Sequence, residues 1–165
     1  MRIIVVSDTH RDFFVLKEIV EQNTNAELFI HLGDGENELR DVQTLFPERV
    51  FLFVRGNCDY ASMAKTVDTV SVGEAKIFFT HGHLFDVHSS PDRLLAAARE
   101  QGASVALYGH THLSATGYRD GVHLLNPGSP TSPRGGRKPS YGVIDVTDAG
   151  IVPHIVELTK AGDRP

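Results

Sequence analysis

Seven side chains of this sequence, Asp8, His10, Asp34, Asn57, His81, His110 and His112, follow short apolar runs that stop abruptly. Carboxylate, amide oxygen and neutral imidazole, with no thiolate among them, suit borderline cations better than Mg²⁺ or Ca²⁺; Mn²⁺ is the first expectation, with Fe²⁺, Ni²⁺ or Zn²⁺ as alternatives. In Asp8-Thr9-His10 and His110-Thr111-His112 one residue separates the two donors. Extended backbone sends such i and i+2 side chains to the same side, so each pair can face one ion. Seven ligands exceed the needs of one ion and point to two.

Two-metal sites hold their ions about 3.5–4 Å apart. At an effective dielectric of about 20, the bare repulsion of two dications there is on the order of 18 kcal/mol. An anionic bridge between them is required, and Asp34 with a bridging hydroxide is the economical choice. Two dications less Asp8, Asp34 and the hydroxide leave a formal charge of about +1, because metal-bound histidines are neutral. Such a site attracts a phosphate anion, turns the bridging hydroxide into a nucleophile and steadies the attacking and leaving oxygens of an in-line displacement.

The elements that carry these residues are legible. Arg2 to Val6 reads as a strand, followed by a polar turn and by Phe13, Leu16, Ile19 and Val20 at helical spacing. The unit repeats through Phe29-Ile30-His31-Leu32 with Gly33-Asp34, a helix over Leu39, Val42, Leu45 and Phe46, and a strand from Val50 to Val54. This alternation predicts a parallel sheet with crossover helices. Beyond Tyr60, Thr66 to Val72 and Ala75 to Phe79 flank Gly73-Glu74 as a hairpin that starts a second sheet. Pro91 to Gln101 is helical, with Ser89 or Ser90 as the expected cap, and Ser104 to Tyr108 is a buried strand. Strands with turns at Asp120-Gly121 and Ala149-Gly150 complete the chain around a Pro/Gly-rich loop from Asn126 to Pro139. In open α/β sheets ligands gather outside the carboxyl ends of the strands, so all five ligand-bearing turns can meet in one crevice.

Composition excludes other classes. A chain of 165 residues is one domain, expected over 1–165, and hides roughly 70% of its unfolded surface. No apolar run approaches the ~20 residues that would span a bilayer, so no membrane partner is expected. The strand directly after Met1 leaves no room for a signal segment, which predicts a cytoplasmic protein. A single cysteine, Cys58, rules out an intrachain disulfide and a thiolate zinc knot. Net charge is −5 with no basic cluster beyond Arg134 to Lys138, which argues against extended nucleic acid as a partner. Nothing in the sequence fixes the oligomeric state.

The ordered blocks Asp8-x-His10, Gly33-Asp34, Gly56-Asn57, His81-Gly82-His83 and Gly109-His110-Thr111-His112, closing with Asn126-Pro127-Gly128-Ser129, resemble the calcineurin-like metallophosphoesterase superfamily. They are similar in particular to its small single-domain phosphodiesterase branch, which also includes the metallophosphoesterase-like subunit of the retromer sorting complex. The resemblance implies an α/β fold of two packed mixed β-sheets flanked by helices, a four-layer α-β-β-α sandwich. It places Asp8, His10, Asp34 and His112 on a first metal and Asp34, Asn57, His81 and His110 on a second. Cys58 departs from the many relatives that carry a leaving-group histidine after the asparagine, although the small branch shares it. General acid catalysis is typically worth about 10²–10⁴-fold, so slow turnover or a preference for good leaving groups is expected.

Each ligand candidate alone has an ordinary reading: Asp8 and Asp34 as helix caps, Asn57 as a turn residue, His81 and His110 as polar strand ends. Five blocks in order reverse that reading. Asn57, His81 and Asp59 are the expected catalytic residues, Asp59 by orienting the others. His83, Ser129 and Arg134 are the candidates for substrate contact, the last two from a solvated loop. His31, inside an apolar run, is expected to be a hydrogen-bonded structural histidine. His88, His123 and His154 are expected at the surface or in strands without chemistry, and Cys58 is expected to be a small packing residue. The expected function is a binuclear-metal phosphodiesterase acting on a small phosphodiester; the alternatives are a non-enzymatic interaction scaffold and a phosphomonoesterase.

Overall fold

Alternation within single strands sets the layering. In β1 (Arg2–Val6), Ile3 and Val5 point one way and Ile4 and Val6 the other, and all four are buried. A sheet buried on both faces needs a layer on each side. The computed structural model describes residues 1–159, and 160–165 lie outside the described residues.

After β1 come α1 (Phe13–Gln22), β2 (Leu28–His31), α2 (Glu36–Leu45), β3 (Phe51–Phe53), β4 (Val67–Val72) and β5 (Ala75–Thr80). A 3₁₀ turn at His83–Phe85 precedes α3 (Asp92–Glu100), β6 (Val105–Leu107), β7 (Ala115–Arg119), β8 (Val122–Asn126), β9 (Ser140–Thr147) and β10 (Gly150–Glu157). One sheet has the order β10-β9-β1-β2-β3 and the other β4-β5-β6-β8-β7. Both are mixed. β1, β2 and β3 run parallel, with Val5 opposite Ile30 and Ile30 opposite Leu52, while β9 joins β1 antiparallel. In the second sheet β5, β6 and β8 run parallel, and β4 and β7 are antiparallel at its edges.

Ile3, Val5 and Ile30 meet Ile77, Phe79, Val105 and Leu107 between the sheets. Ile4, Val6 and Phe29 meet Leu16, Ile19, Leu39 and Val42 of α1 and α2. On the far side Phe78 and Ala106 meet Leu94, Leu95 and Ala98 of α3. This is the expected four-layer α-β-β-α sandwich. Among the described residues no helix is long and apolar enough to cross a membrane.

Details differ from the sequence reading. The third strand covers only Phe51–Phe53 and α2 stops at Leu45, which is exposed. Pro91 occupies the N-cap of α3, because its fixed φ suits a helix start. The Ser90 hydroxyl instead accepts the Asp92 N–H at 3.2 Å.

Candidate metal centre

The ordinary reading of the two central carboxylates as helix caps fails on geometry. Asp12 caps α1 by accepting the Val15 N–H at 3.0 Å, and Gly35 begins α2 without a side-chain cap. Asp8 and Asp34 are instead buried at the carboxyl ends of β1 and β2. The turns that carry them are contorted. Asp8, His10, Asp34, His110 and His112 all have positive φ, between 44° and 67°. Non-glycine residues rarely adopt that region, and such strain clusters at functional sites.

Close approach of these turns needs glycine. A Cβ on Gly56 would lie 2.0 Å from Oδ1 of Asp34, and one on Gly109 would lie 1.9 Å from the Ser7 hydroxyl and 2.9 Å from Oδ2 of Asp8. The two glycines therefore let the ends of β3 and β6 close on the carboxylates delivered by β2 and β1.

Each carboxylate has one oxygen held and one oxygen aimed. Oδ2 of Asp8 accepts the Ser7 hydroxyl at 2.6 Å and the His110 N–H at 3.0 Å. Its Oδ1 is buried with no hydrogen-bond partner and faces Nε2 of His112 at 3.2 Å and of His10 and His81 at 3.9 Å. Oδ1 of Asp34 accepts the Cys58 N–H at 2.7 Å, and its Oδ2 lies 3.5 Å from Nε2 of His81.

The histidines are oriented from behind. Nδ1 of His112 lies 2.7 Å from the Ser132 carbonyl and Nδ1 of His81 lies 2.9 Å from the Leu32 carbonyl. A carbonyl only accepts, so Nδ1 carries the proton and a neutral ring turns the lone pair of Nε2 toward the carboxylates. Acceptor then faces acceptor, an arrangement that a cation relieves. Asn57 adds a further oxygen, its Oδ1 lying 3.1 Å from Nε2 of His81. The orphaned Oδ1 of Asp8 and this donor set fit divalent metal.

Electrostatics follow the same pattern. Burial alone would raise the Asp8 carboxyl, but His112, His81 and Ser7 outweigh it and hold it at about 2. The Asp8 contact in turn raises His112, more than burial lowers it. Burial, then the neighbouring His81 and His88, pushes His110 down to about 4.

Ligand atoms of Asp8, His10 and His112 lie within 4.8 Å of one another, and so do those of Asp8, Asp34 and His81. A third set joins His10, Asp34 and Cys58. Asp8 and Asp34 are thus each shared between sets, which the sequence reading assigned to Asp34 alone. His110 stands further out: its ring centroid is 5.0 Å from that of His81 and it joins none of the three sets.

Asp59 is a brace. Its carboxylate accepts the backbone N–H groups of Asp34, Gly35, Glu36 and Gly56 at 2.8–3.1 Å, fastening the turns after β2 and β3 to each other. His31 is the hydrogen-bonded structural histidine expected: Nδ1 accepts the Gly33 N–H at 3.1 Å and Nε2 lies 3.0 Å from the Thr9 hydroxyl.

Several expectations need correction. Ser129 is fully buried and its hydroxyl donates to the Asp8 carbonyl at 2.8 Å, so it supports the first turn and has no free hydroxyl for a phosphate. Cys58 is exposed at the mouth, not packed. His88 is at the surface as expected, and its ring centroid lies 4.7 Å from that of His110. His83 stands at the start of the 3₁₀ turn, 5.4 Å ring to ring from His81. Arg134 is exposed, its N–H donates to the His112 carbonyl at 3.1 Å, and its charge acts to lower His112. Arg11 was missed because it ends no apolar run although it follows His10, and His88 because only chain turning brings it to His110.

Comparison with known proteins agrees with this geometry. Residues 1–149 match the family model of the calcineurin-like phosphoesterase superfamily domain. Probable metallophosphoesterase YsnB of Bacillus subtilis (strain 168) is 34% identical over 154 residues, covering 92% of this chain and 89% of YsnB. Phosphodiesterase YfcE of Escherichia coli (strain K12) is 28% identical over 170 residues, with 88% of each chain covered. The crystal structure of a predicted phosphoesterase from Streptococcus pneumoniae TIGR4 superposes with a TM-score of 0.83 at 31% identity, over 94% of this chain and 88% of that one.

Proposed function

The chain belongs to the calcineurin-like phosphoesterase superfamily, and from that premise we propose that it is a binuclear-metal phosphodiesterase acting on small phosphodiesters. The observation that carries this reading is the pair of buried carboxylates whose free oxygens face imidazole lone pairs. In this reading Asp8, His10, Asp34 and His112 hold one divalent ion, and Asp34, Asn57, His81 and His110 hold the other. The metals would supply Lewis acidity and lower the pKa of a nucleophilic water. Mn²⁺ is the first candidate.

The chain's own residues do the positioning. The Ser132 and Leu32 carbonyls fix the tautomers of His112 and His81, so their Nε2 atoms need no reorganisation during the reaction. Asp59 keeps the turns of Asp34 and Asn57 in register. His83 and Arg134 remain the candidates to meet the non-bridging oxygens of a phosphate. The diester preference is inferred from the phosphodiesterase relative and from Cys58, which stands where a leaving-group histidine would favour harder substrates.

The test is hydrolysis of bis(p-nitrophenyl) phosphate and of p-nitrophenyl phosphate by metal-stripped protein with added Mn²⁺. Activity on the diester, lost in Asp34→Asn and His81→Ala, is expected. No activity with any divalent ion would sink the reading in favour of a scaffold, and a faster monoester reaction would make the protein a phosphomonoesterase.

A further inference from the structure

A cleft of about 550 Å³ opens directly beside His10, Asp34 and Cys58, walled by Arg11, Arg40 and Tyr60. That volume is in the range of small-molecule sites and exceeds what one phosphate on the metal ligands requires. It has room for the remainder of a diester substrate.

Of the charges lining the cleft, Asp34 turns its Oδ2 to the ligand set, and the others are committed with one exception. Glu36 pairs with Arg40 at 2.5 Å. Oε1 of Glu38 accepts the Thr9 hydroxyl at 2.6 Å and the Arg11 N–H at 2.7 Å, and Asp59 is saturated by backbone N–H groups. The guanidinium of Arg11 has no hydrogen-bond or ion-pair partner among the described residues. In a chain of net charge −5, an exposed, unpaired arginine beside the ligand set is a selective feature.

The backbone of Arg11 reinforces this. Its φ is 71°, a conformation that a glycine would adopt freely and a long side chain does not. The buried Glu38 carboxylate accepts its N–H in that conformation, and Arg11 lines the cleft. Tyr60, in the same lining, is 87% exposed and offers an uncovered aromatic ring.

We propose that this cleft is a subsite for a second phosphate group carried by the diester substrate, and that Arg11 is the residue that selects for it. The proposal rests on the phosphodiesterase reading. Guanidinium meets phosphate in a bidentate fork, a geometry that a lysine reproduces only as a point charge. In the proposed hydrolysis water would add to the diester phosphorus and give up a proton, the P–O bond to the leaving alcohol would break, and that alcohol would take up a proton. The second phosphate is unchanged.

Two chromogenic esters separate the possibilities: thymidine 5′-(p-nitrophenyl phosphate) and the same compound carrying a 3′-phosphate. Tyr60 makes a nucleoside a suitable carrier, since a base can stack on its ring. A charge-assisted contact predicts that the 3′-phosphorylated ester is preferred by about 10-fold or more in kcat/KM. Arg11→Ala should bring that ratio close to one, and Arg11→Lys should retain part of it. Calorimetry gives a readout independent of turnover: thymidine 3′,5′-bisphosphate should bind about 10-fold tighter than thymidine 5′-phosphate to the wild type and not to Arg11→Ala, with or without added Mn²⁺. A wild-type ratio near one, or a ratio that survives in Arg11→Ala, overturns the subsite. If neither ester is hydrolysed the phosphodiesterase reading fails, and the bisphosphate affinities still decide the role of Arg11.

Discussion

The backbone N–H of Cys58 donates to Oδ1 of Asp34 at 2.7 Å, so the residue after Asn57 is tied to the central carboxylate by its main chain while its side chain is left at the mouth. Burial and the nearby Asp34 push the thiol up to about 11. The group stays protonated at neutral pH, and its ligand atom lies within 4.8 Å of those of His10 and Asp34.

A thiol so reluctant to ionise is a poor proton donor to a leaving alkoxide. Cys58→His should flatten the dependence of rate on leaving-group pKa and speed hydrolysis of poor leaving groups by up to about 10²-fold. An unchanged slope across a series of substituted phenyl esters would show that Cys58 does not limit the reaction.

Asp59 holds four N–H groups with one carboxylate, and a hydrogen bond to a charged group contributes about 1.5–3 kcal/mol, with bonds that share one carboxylate far from additive. Asp59→Ala should lower stability by roughly 2–4 kcal/mol in urea unfolding. Metal affinity should fall with it, because the turns of Asp34 and Asn57 lose their common anchor. Burial would raise this carboxyl, yet the N–H groups of Gly56, Glu36 and Asp34 hold it below its ordinary value. Its contribution is therefore present above that ordinary value and is lost as pH falls below it. Wild type and Asp59→Asn should converge in stability on acidification.

Most of the frame was legible because it rests on local pattern. Alternation marks β1, and apolar runs that end in Asp or His mark the carboxyl edge of the sheets. Residues whose role depends on chain turning were not legible. Ser129 looked like a loop residue, yet its hydroxyl is drawn under the Asp8 carbonyl by packing that no periodicity encodes. His88 reaches His110 through a 3₁₀ turn and a loop whose path the sequence leaves open. The sharing of Asp8 between two ligand sets likewise arises from how the two sheets meet.

His31 supplies a pH dependence of opposite residue type to Asp59. Burial drives its imidazole down to about 4, against the opposing pull of Glu38 and Asp59. The neutral ring is what the fold accommodates, with Nδ1 accepting from Gly33. Because the folded value lies below the unfolded one near 6.5, stability is complete above about pH 6.5 and declines as pH falls toward 4. The loss attributable to this group is on the order of 3 kcal/mol. Urea midpoints measured between pH 8 and 4 should fall more steeply for wild type than for His31→Gln; parallel curves would remove His31 from the acid response.

Metal stoichiometry tests the bridge. Asp34 contributes its ligand atom both to the set with Asp8 and His81 and to the set with His10 and Cys58, and the proposed function shares it between the two ions. Asp8 is also shared, through His112 and His10 on one side and His81 on the other, but its Oδ2 is already taken by Ser7 and His110. Asp34 likewise keeps only Oδ2 free, so the free oxygens do not separate the two carboxylates and the stoichiometry of the variants does. Two dications about 3.5–4 Å apart repel strongly enough that loss of the shared carboxylate should release both. Asp34→Ala is expected to bind no more than residual metal by elemental analysis, whereas Asp8→Ala should retain about one ion per chain. An Asp34→Ala protein that still carries two ions would take Asp34 out of the bridge and leave Asp8 as the shared ligand.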